Sequence, residues 1–171
     1  MSAQIKVLII TGTMGTGKTT ALLEASDILS AAGTIHAAIE LDMLGIPHKP
    51  DVSADELMFR NLASVWSNYQ AAGIRRLLLA EAVESREDLN RIRAAVPDAQ
   101  IVICRLLAGI AIAEERIRTR ETGMLQHKFV ARVGELEKLL DNAHFEDFSI
   151  TNDHAPITHV AREMLTRAEW M

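Results

Sequence analysis

Aliphatic runs alternate along this chain with stretches whose apolar positions recur every three or four residues. "IKVLII" (5–10), "TIHAAIEL" (34–41), "RRLLLAEAV" (75–83) and "AQIVICRLL" (99–107) read as strands, with "FSIT" (148–151) as a short fifth. A continuous apolar run is what a parallel strand buried on both faces requires. Between them, 18–32 reads as a helix with Leu22, Leu23, Ser26 and Leu29 at helical spacing and Gly33 at its C-terminal cap. Ser53 and Glu56 form a capping-box pattern ahead of a helix carrying Met58, Leu62, Val65, Trp66 and Tyr69 on one face, ended by Gly73. Trp66 and Tyr69 on that stripe read as core. Ser85 with Asp88 starts a helix that stops before Pro97. The pattern predicts a short charged helix over 111–121, one over 128–142 with Val130, Val133, Leu136 and Leu140 in a stripe, and a last over 157–169. The stretch 43–52, with Gly45, Pro47 and Pro50, is the most loop-like. Five strands alternating with helices predict an α/β fold with a mainly parallel sheet and right-handed crossovers.

Composition narrows the class. At 171 residues the chain suits one three-layer domain spanning 1–171. The net charge is −5 with both signs interspersed and no basic face, which disfavours duplex nucleic acid or an anionic membrane as partner. No apolar run approaches the ~20 residues of a membrane span. The N-terminus lacks the features of a secretory signal. The single cysteine, Cys104, reads as a buried small hydrophobe, and a lone thiol suits a reducing cytoplasm. Six histidines are scattered without metal-ligand spacing. Oligomeric state is left open.

The chemistry starts at residues 12–19, "GTMGTGKT", which fit G-x-x-x-x-G-K-[ST] in full between a buried strand and a helix. Glycines at 12, 15 and 17 allow the backbone to turn successive N–H groups inward around an anion. The helix beginning near Lys18 aims its free N–H groups and positive dipole end at the same point. Gly12, Thr13, Met14, Gly15, Thr16, Gly17, Lys18, Thr19 and Thr20 are therefore the expected nucleotide cradle. Lys18 supplies charge for the β- and γ-phosphates, and the Thr19 hydroxyl is a ligand for Mg²⁺.

Bound nucleotide serves as a reagent or as a switch, and residues outside the loop bear on which. A GTPase would carry N-K-x-D late in the chain, and Asn152-Asp153 lacks the lysine. A motor-type ATPase would end its third strand in Asp-Glu, where this chain has Glu81 with no aspartate before it. Glu81, at a strand end facing the crevice, either orients a Mg²⁺-bound water or stabilises a loop. Strand two ends "IELD", and two-residue spacing on a strand points Glu40 and Asp42 to one face. In an open α/β sheet the carboxyl ends of the strands form the ligand crevice. A carboxylate there holds a substrate hydroxyl, acts as general base, or contacts Mg²⁺ through water.

With these features the sequence resembles the small phosphate-loop (P-loop) kinases: shikimate kinase, gluconate kinase, adenylylsulfate kinase and chloramphenicol phosphotransferase. The resemblance implies a five-stranded sheet in the order 2-3-1-4-5, ATP with Mg²⁺, and a small-molecule acceptor. It maps the group's acidic strand-two motif onto Glu40 and Asp42, and the arginine of an F-R pair that holds an acidic substrate onto Arg60 in "MFRNL". It places a short arginine-rich lid near 116–128. Within "EERIRTRETG", Arg116 and Arg120 share a helix face for phosphate contact while Arg118 points elsewhere, and Gly123 is a hinge. A charged helix face with pairs such as Glu114–Arg118 is the alternative. The last strand-to-helix loop, "ITNDHAP", cups the adenine and brings in Asn152. The chain departs from shikimate kinase where Glu81-Ala82-Val83 replaces a glycine-rich turn and Ala63 replaces the glutamate after the F-R pair. The expected acceptor site lies between the end of strand two, the loop at 43–56 and the helix carrying Arg60. The expected activity is transfer of the γ-phosphoryl of ATP to a hydroxyl. A regulatory nucleotide-binding protein with slow hydrolysis is the second class.

Overall fold

In the computed structural model, which describes residues 4–47 and 49–171, five parallel strands form one sheet. Residues 1–3 and His48, the latter in the expected 43–52 loop, lie outside the described residues. The strands are β1 (Ile5–Thr11), β2 (Ala37–Glu40), β3 (Arg76–Ala80), β4 (Ala99–Leu107) and β5 (Phe148–Thr151), in the spatial order β2-β3-β1-β4-β5. The expected order and fold class are both observed. The central strand β1 pairs with β3 and β4, so Ile10 faces Ala80 on one side and Cys104 on the other.

Among the described residues six α-helices flank the sheet: α1 (Lys18–Ala31), α2 (Ala54–Ala71), α3 (Arg86–Ala95), α4 (Ile110–Arg120), α5 (Gly123–Ala143) and α6 (Ile157–Arg167). Alternation along β1 divides the core. Leu8 and Ile10 pack with Leu22 and Leu29 of α1 and with Met164 and Leu165 of α6. Val7 and Ile9 pack on the other face with Leu62 and Trp66 of α2 and Ile92 of α3. All of these side chains are buried, and each stabilises the fold by roughly 1.5–3 kcal/mol relative to an exposed one. A small third cluster, Ala113, Ile117 and Val133, joins α4 to α5 and receives Met14 from the glycine loop. No helix among the described residues is long and apolar enough to cross a membrane.

Several boundaries differ from the sequence reading for identifiable reasons. β2 is four residues rather than eight. At its start, Thr34 N bonds Leu29 O and Gly33 N bonds Ser30 O, so these residues close α1 instead of pairing. At its end, Leu41–Leu44 turn into a 3₁₀ helix, which takes Asp42 off the strand. β3 stops at Ala80, leaving Glu81, Ala82 and Val83 beyond the strand. Leu23 is exposed; α1 buries Ala21, Leu22, Ala25, Ile28 and Leu29 instead. The full capping box forms at Ser85–Asp88, whereas at Ser53 only the side chain's bond from Glu56 N is present. α5 starts at Gly123, five residues earlier than expected, so Glu121 and Thr122 alone link it to α4.

Candidate active site

The glycine loop joins β1 to α1 at the carboxyl edge of the sheet, where β3 and β4 also end. Its backbone conformation requires glycine. Gly15 has φ +79°, and a Cβ there would sit 2.3 Å from the Ala113 carbonyl of α4. Gly12 has φ +147° and would meet the Leu106 carbonyl at 2.6 Å. Side chains brace the loop: Thr16 Oγ1 donates to Thr13 O at 2.8 Å, and Asn152 Nδ2 donates to Thr16 O at 2.7 Å. The Thr13 hydroxyl reaches Val133 O of α5 at 3.4 Å.

Lys18 folds over the loop and donates to Gly12 O at 2.8 Å and Thr13 O at 3.2 Å. Burial lowers its pKa below the ordinary lysine value; the negative charges of Asp42, Glu81 and Glu40 oppose that shift, and Arg120 adds to it. Three carboxylates and a second cation thus lie within electrostatic reach of Lys18. The Thr19 hydroxyl donates to Glu40 Oε1 at 2.6 Å. With its proton committed to Glu40, the Thr19 oxygen keeps its lone pairs free for a cation.

Glu81 is the deepest of these acids, 8% exposed. Its Oε1 accepts from Ala82 N at 2.8 Å, while Oε2 is buried without a partner. Burial, and next the charge of Asp42, push its pKa up to about 8; Lys18 and the Ala82 N–H pull it back. Beside it a cavity of about 290 Å³ is bounded by Asp42, Asp55, Glu84 and Arg132, and by Met58 and Phe59 of α2.

The structure thus separates residues that the sequence grouped. Asp42 and Glu81 share that cavity, but Glu40 turns to Thr19 because β2 ends before Asp42. Arg60 is exposed and lines a different cavity with Ser53, Glu56 and Arg91, on the far side of Phe59. Asn152 is 4% exposed and holds the glycine loop through its amide. Arg116 bridges the loop to the β5–α6 connection, donating to Gly15 O at 3.2 Å and Asp153 O at 2.6 Å. Arg120 pairs with Glu121 at 2.6 Å, and Arg118 pairs with Glu114 at 2.8 Å, away from the loop. Arg132, held by Glu84, was not singled out in the sequence; within α5 nothing but the fold reveals that it borders Asp42.

No protein-family model matches the chain, and no curated protein matches it. Solved structures do. A shikimate kinase from Bacteroides thetaiotaomicron is similar, with a TM-score of 0.66 at 13% identity, over 96% of this chain and 98% of that one. A sugar kinase from Janibacter sp. HTCC2649 is similar with a TM-score of 0.63 at 17% identity, over 95% and 93%. An APS kinase from Mycobacterium tuberculosis, solved with AMPPNP and APS, gives 0.62 at 18% identity, over 97% and 98%. The chain has the fold of the P-loop small-molecule kinases. Its glycine loop, Lys18 and the strand-end carboxylates occupy the carboxyl edge of that fold, where open α/β sheets bind ligands.

Proposed function

We propose that the chain, as a single domain, is an ATP- and Mg²⁺-dependent phosphotransferase that moves the γ-phosphoryl group to a hydroxyl of a small molecule. The observation that carries this reading is the convergence on Lys18 of Asp42, Glu81, Glu40 and Arg120, beside a cavity open to Asp42. A site for hydrolysis alone has no need of a separate acceptor cavity. The donor set fits the nucleotide. The loop leaves no room for side chains at Gly12 and Gly15, and the Thr19 oxygen is oriented by Glu40.

ATP·Mg²⁺ supplies the γ-phosphoryl group and the charge that draws the phosphates together. Loop N–H groups from Gly12 to Thr20, with the N-terminus of α1, hold the phosphates. Thr19 would hold the metal directly and Asp42 would reach it through water. Lys18 leaves its loop carbonyls for the β- and γ-phosphates, and Arg120 meets the charge that builds on the transferring group. Arg116 holds the loop against the β5–α6 connection, and Asn152 fixes the same loop from within. Asp42 orients the acceptor hydroxyl and takes its proton. Positioning and electrostatics carry most of the rate, because a loose phosphoryl transition state needs little covalent help.

Asp42→Asn tests this directly. Transfer to an acceptor should fall about 10²–10⁴-fold, the range for losing a general base, while ATP affinity measured by calorimetry stays within about threefold. Unchanged transfer would remove Asp42 from the chemistry.

A further inference from the structure

The cavity beside Lys18 has a charge that the reading above leaves unused. Five acidic side chains line it, Asp42, Asp55, Glu81, Glu84 and Asp88, against one cation, Arg132. That cation is already committed, since Arg132 Nη2 donates to both oxygens of Glu84, at 2.6 and 2.7 Å. Asp88 is committed as well, to the backbone N–H and hydroxyl of Ser85. Asp42, Asp55 and Glu81 remain, and among the described residues no ion pair holds any of them. The second, independent sign is Glu81 itself. It is over nine-tenths buried and borders the cavity, and its Oε2 has no hydrogen-bond partner. With its carboxyl pushed up to about 8, Glu81 keeps its proton at neutral pH, and a cationic donor brought against it would let it ionise.

The metal of the proposed reaction belongs at Thr19 and would reach Asp42 through water, which leaves Asp55 and Glu81 unmatched on this wall. Among the described residues no three His, Cys, Asp or Glu side chains are grouped to hold a metal ion. An acidic acceptor is disfavoured, because two like charges at 4 Å repel by about 4 kcal/mol at an effective dielectric constant of 20. The guanidinium expected to receive an acid, Arg60, opens on another cavity. We propose that the hydroxyl acceptor of this site carries a positively charged amine, as an amino alcohol or amino sugar does, and is recognised by Asp55 and Glu81. The inference rests on the phosphotransferase reading and names its substrate class. At about 290 Å³ the cavity lies near the small end of ligand sites, which limits the acceptor to monosaccharide size or below. In the transfer, the acceptor oxygen bonds the γ-phosphorus as the bond to the β–γ bridging oxygen breaks. ADP leaves with that electron pair, and the hydroxyl proton passes to Asp42 and then to water.

The test is a set of acceptors matched in skeleton and differing chiefly in charge: glucosamine, glucose and glucuronate, and an amino alcohol, diol and hydroxy acid on each of several shorter skeletons. ADP release and phosphorylated product are followed with Mg·ATP. On any skeleton that responds, the amine should exceed its neutral match in kcat/KM by about tenfold or more, a difference of about 1.4 kcal/mol. Asp55→Asn, at an exposed position, should raise KM for the amine alone and abolish most of that preference. A neutral or acidic acceptor preferred over its amine, or an amine KM indifferent to Asp55→Asn, overturns the proposal and leaves the phosphotransferase reading intact. If no member of any charge raises ATP turnover while Mg·ATP still binds, the phosphotransferase reading falls and this inference falls with it.

Discussion

Glu81 shows how one buried side chain sets the pH response of the site. Its carboxyl titrates at 4.5 in the ordinary case and at about 8 here, first because of burial and second because of Asp42. Between those values the folded chain binds more protons than the unfolded one, so stability falls as pH rises through the window and levels off above it. In EDTA, the urea midpoint of Glu81→Gln should therefore gain on that of the native chain as pH is raised from 4.5 to about 8. A constant difference would show that Glu81 is not buried as described. Gly15 carries a second residue-scale prediction. Its φ of +79° and the 2.3 Å approach of an added Cβ to Ala113 O mean that Gly15→Ala displaces the loop from α4. Nucleotide affinity should fall by at least about tenfold, as a loss of about 1.4 kcal/mol would produce; unchanged affinity by calorimetry would contradict that tight packing. The loop itself was legible in the sequence, since its pattern, the preceding apolar run and the following helix are all local. The partner of Glu40 was not. Thr19 lies 21 positions away, and the two meet only because β2 ends at Glu40 and turns.

Among the elements, α5 is the one whose attachment was least visible. Its stripe of Val130, Val133, Leu136 and Leu140 was readable from spacing, and Val133, Leu136 and Leu140 are buried. What ties its second half to the sheet is Arg105 of β4, 3% exposed, which donates to Glu137 and Asp141 at 2.8 Å each and to Glu146 at 3.5 Å. In "IVICRLL" that arginine looks like an interruption of a strand, because its carboxylates arrive 32–41 residues later. Removing one partner of a buried charged group is costly, so Arg105→Met should destabilise by about 3 kcal/mol. In a domain of this size that lowers Tm by roughly 6–12 °C; a change under about 2 °C would show the network to be dispensable. The segment expected as the lid spans the junction of α4 and α5, where Gln126 Nε2 donates to the Arg118 and Glu121 carbonyls across the turn. Gly123, expected as a hinge, is the first residue of α5 with φ +64°.

At the scale of the molecule, the layers followed from the sequence because each strand's apolar run is continuous and each helix's stripe is periodic, whereas the strand order came from the resemblance to the P-loop kinases. Of the segments around the cavity beside Asp42, the end of β2, the 43–56 loop and α2 were expected together, while the β3–α3 connection and α5 were not, because no local pattern encodes their meeting. On the proposed reading that cavity receives the acceptor, and the fate of the γ-phosphoryl group tests the reading most directly. Phosphorus-31 NMR of the protein with Mg·ATP and the matched acceptors should show a phosphomonoester resonance growing in step with ADP. It should be lost in Asp42→Asn, whose ATP affinity persists. If only inorganic phosphate and ADP accumulate, at a rate indifferent to every acceptor, the central claim is contradicted.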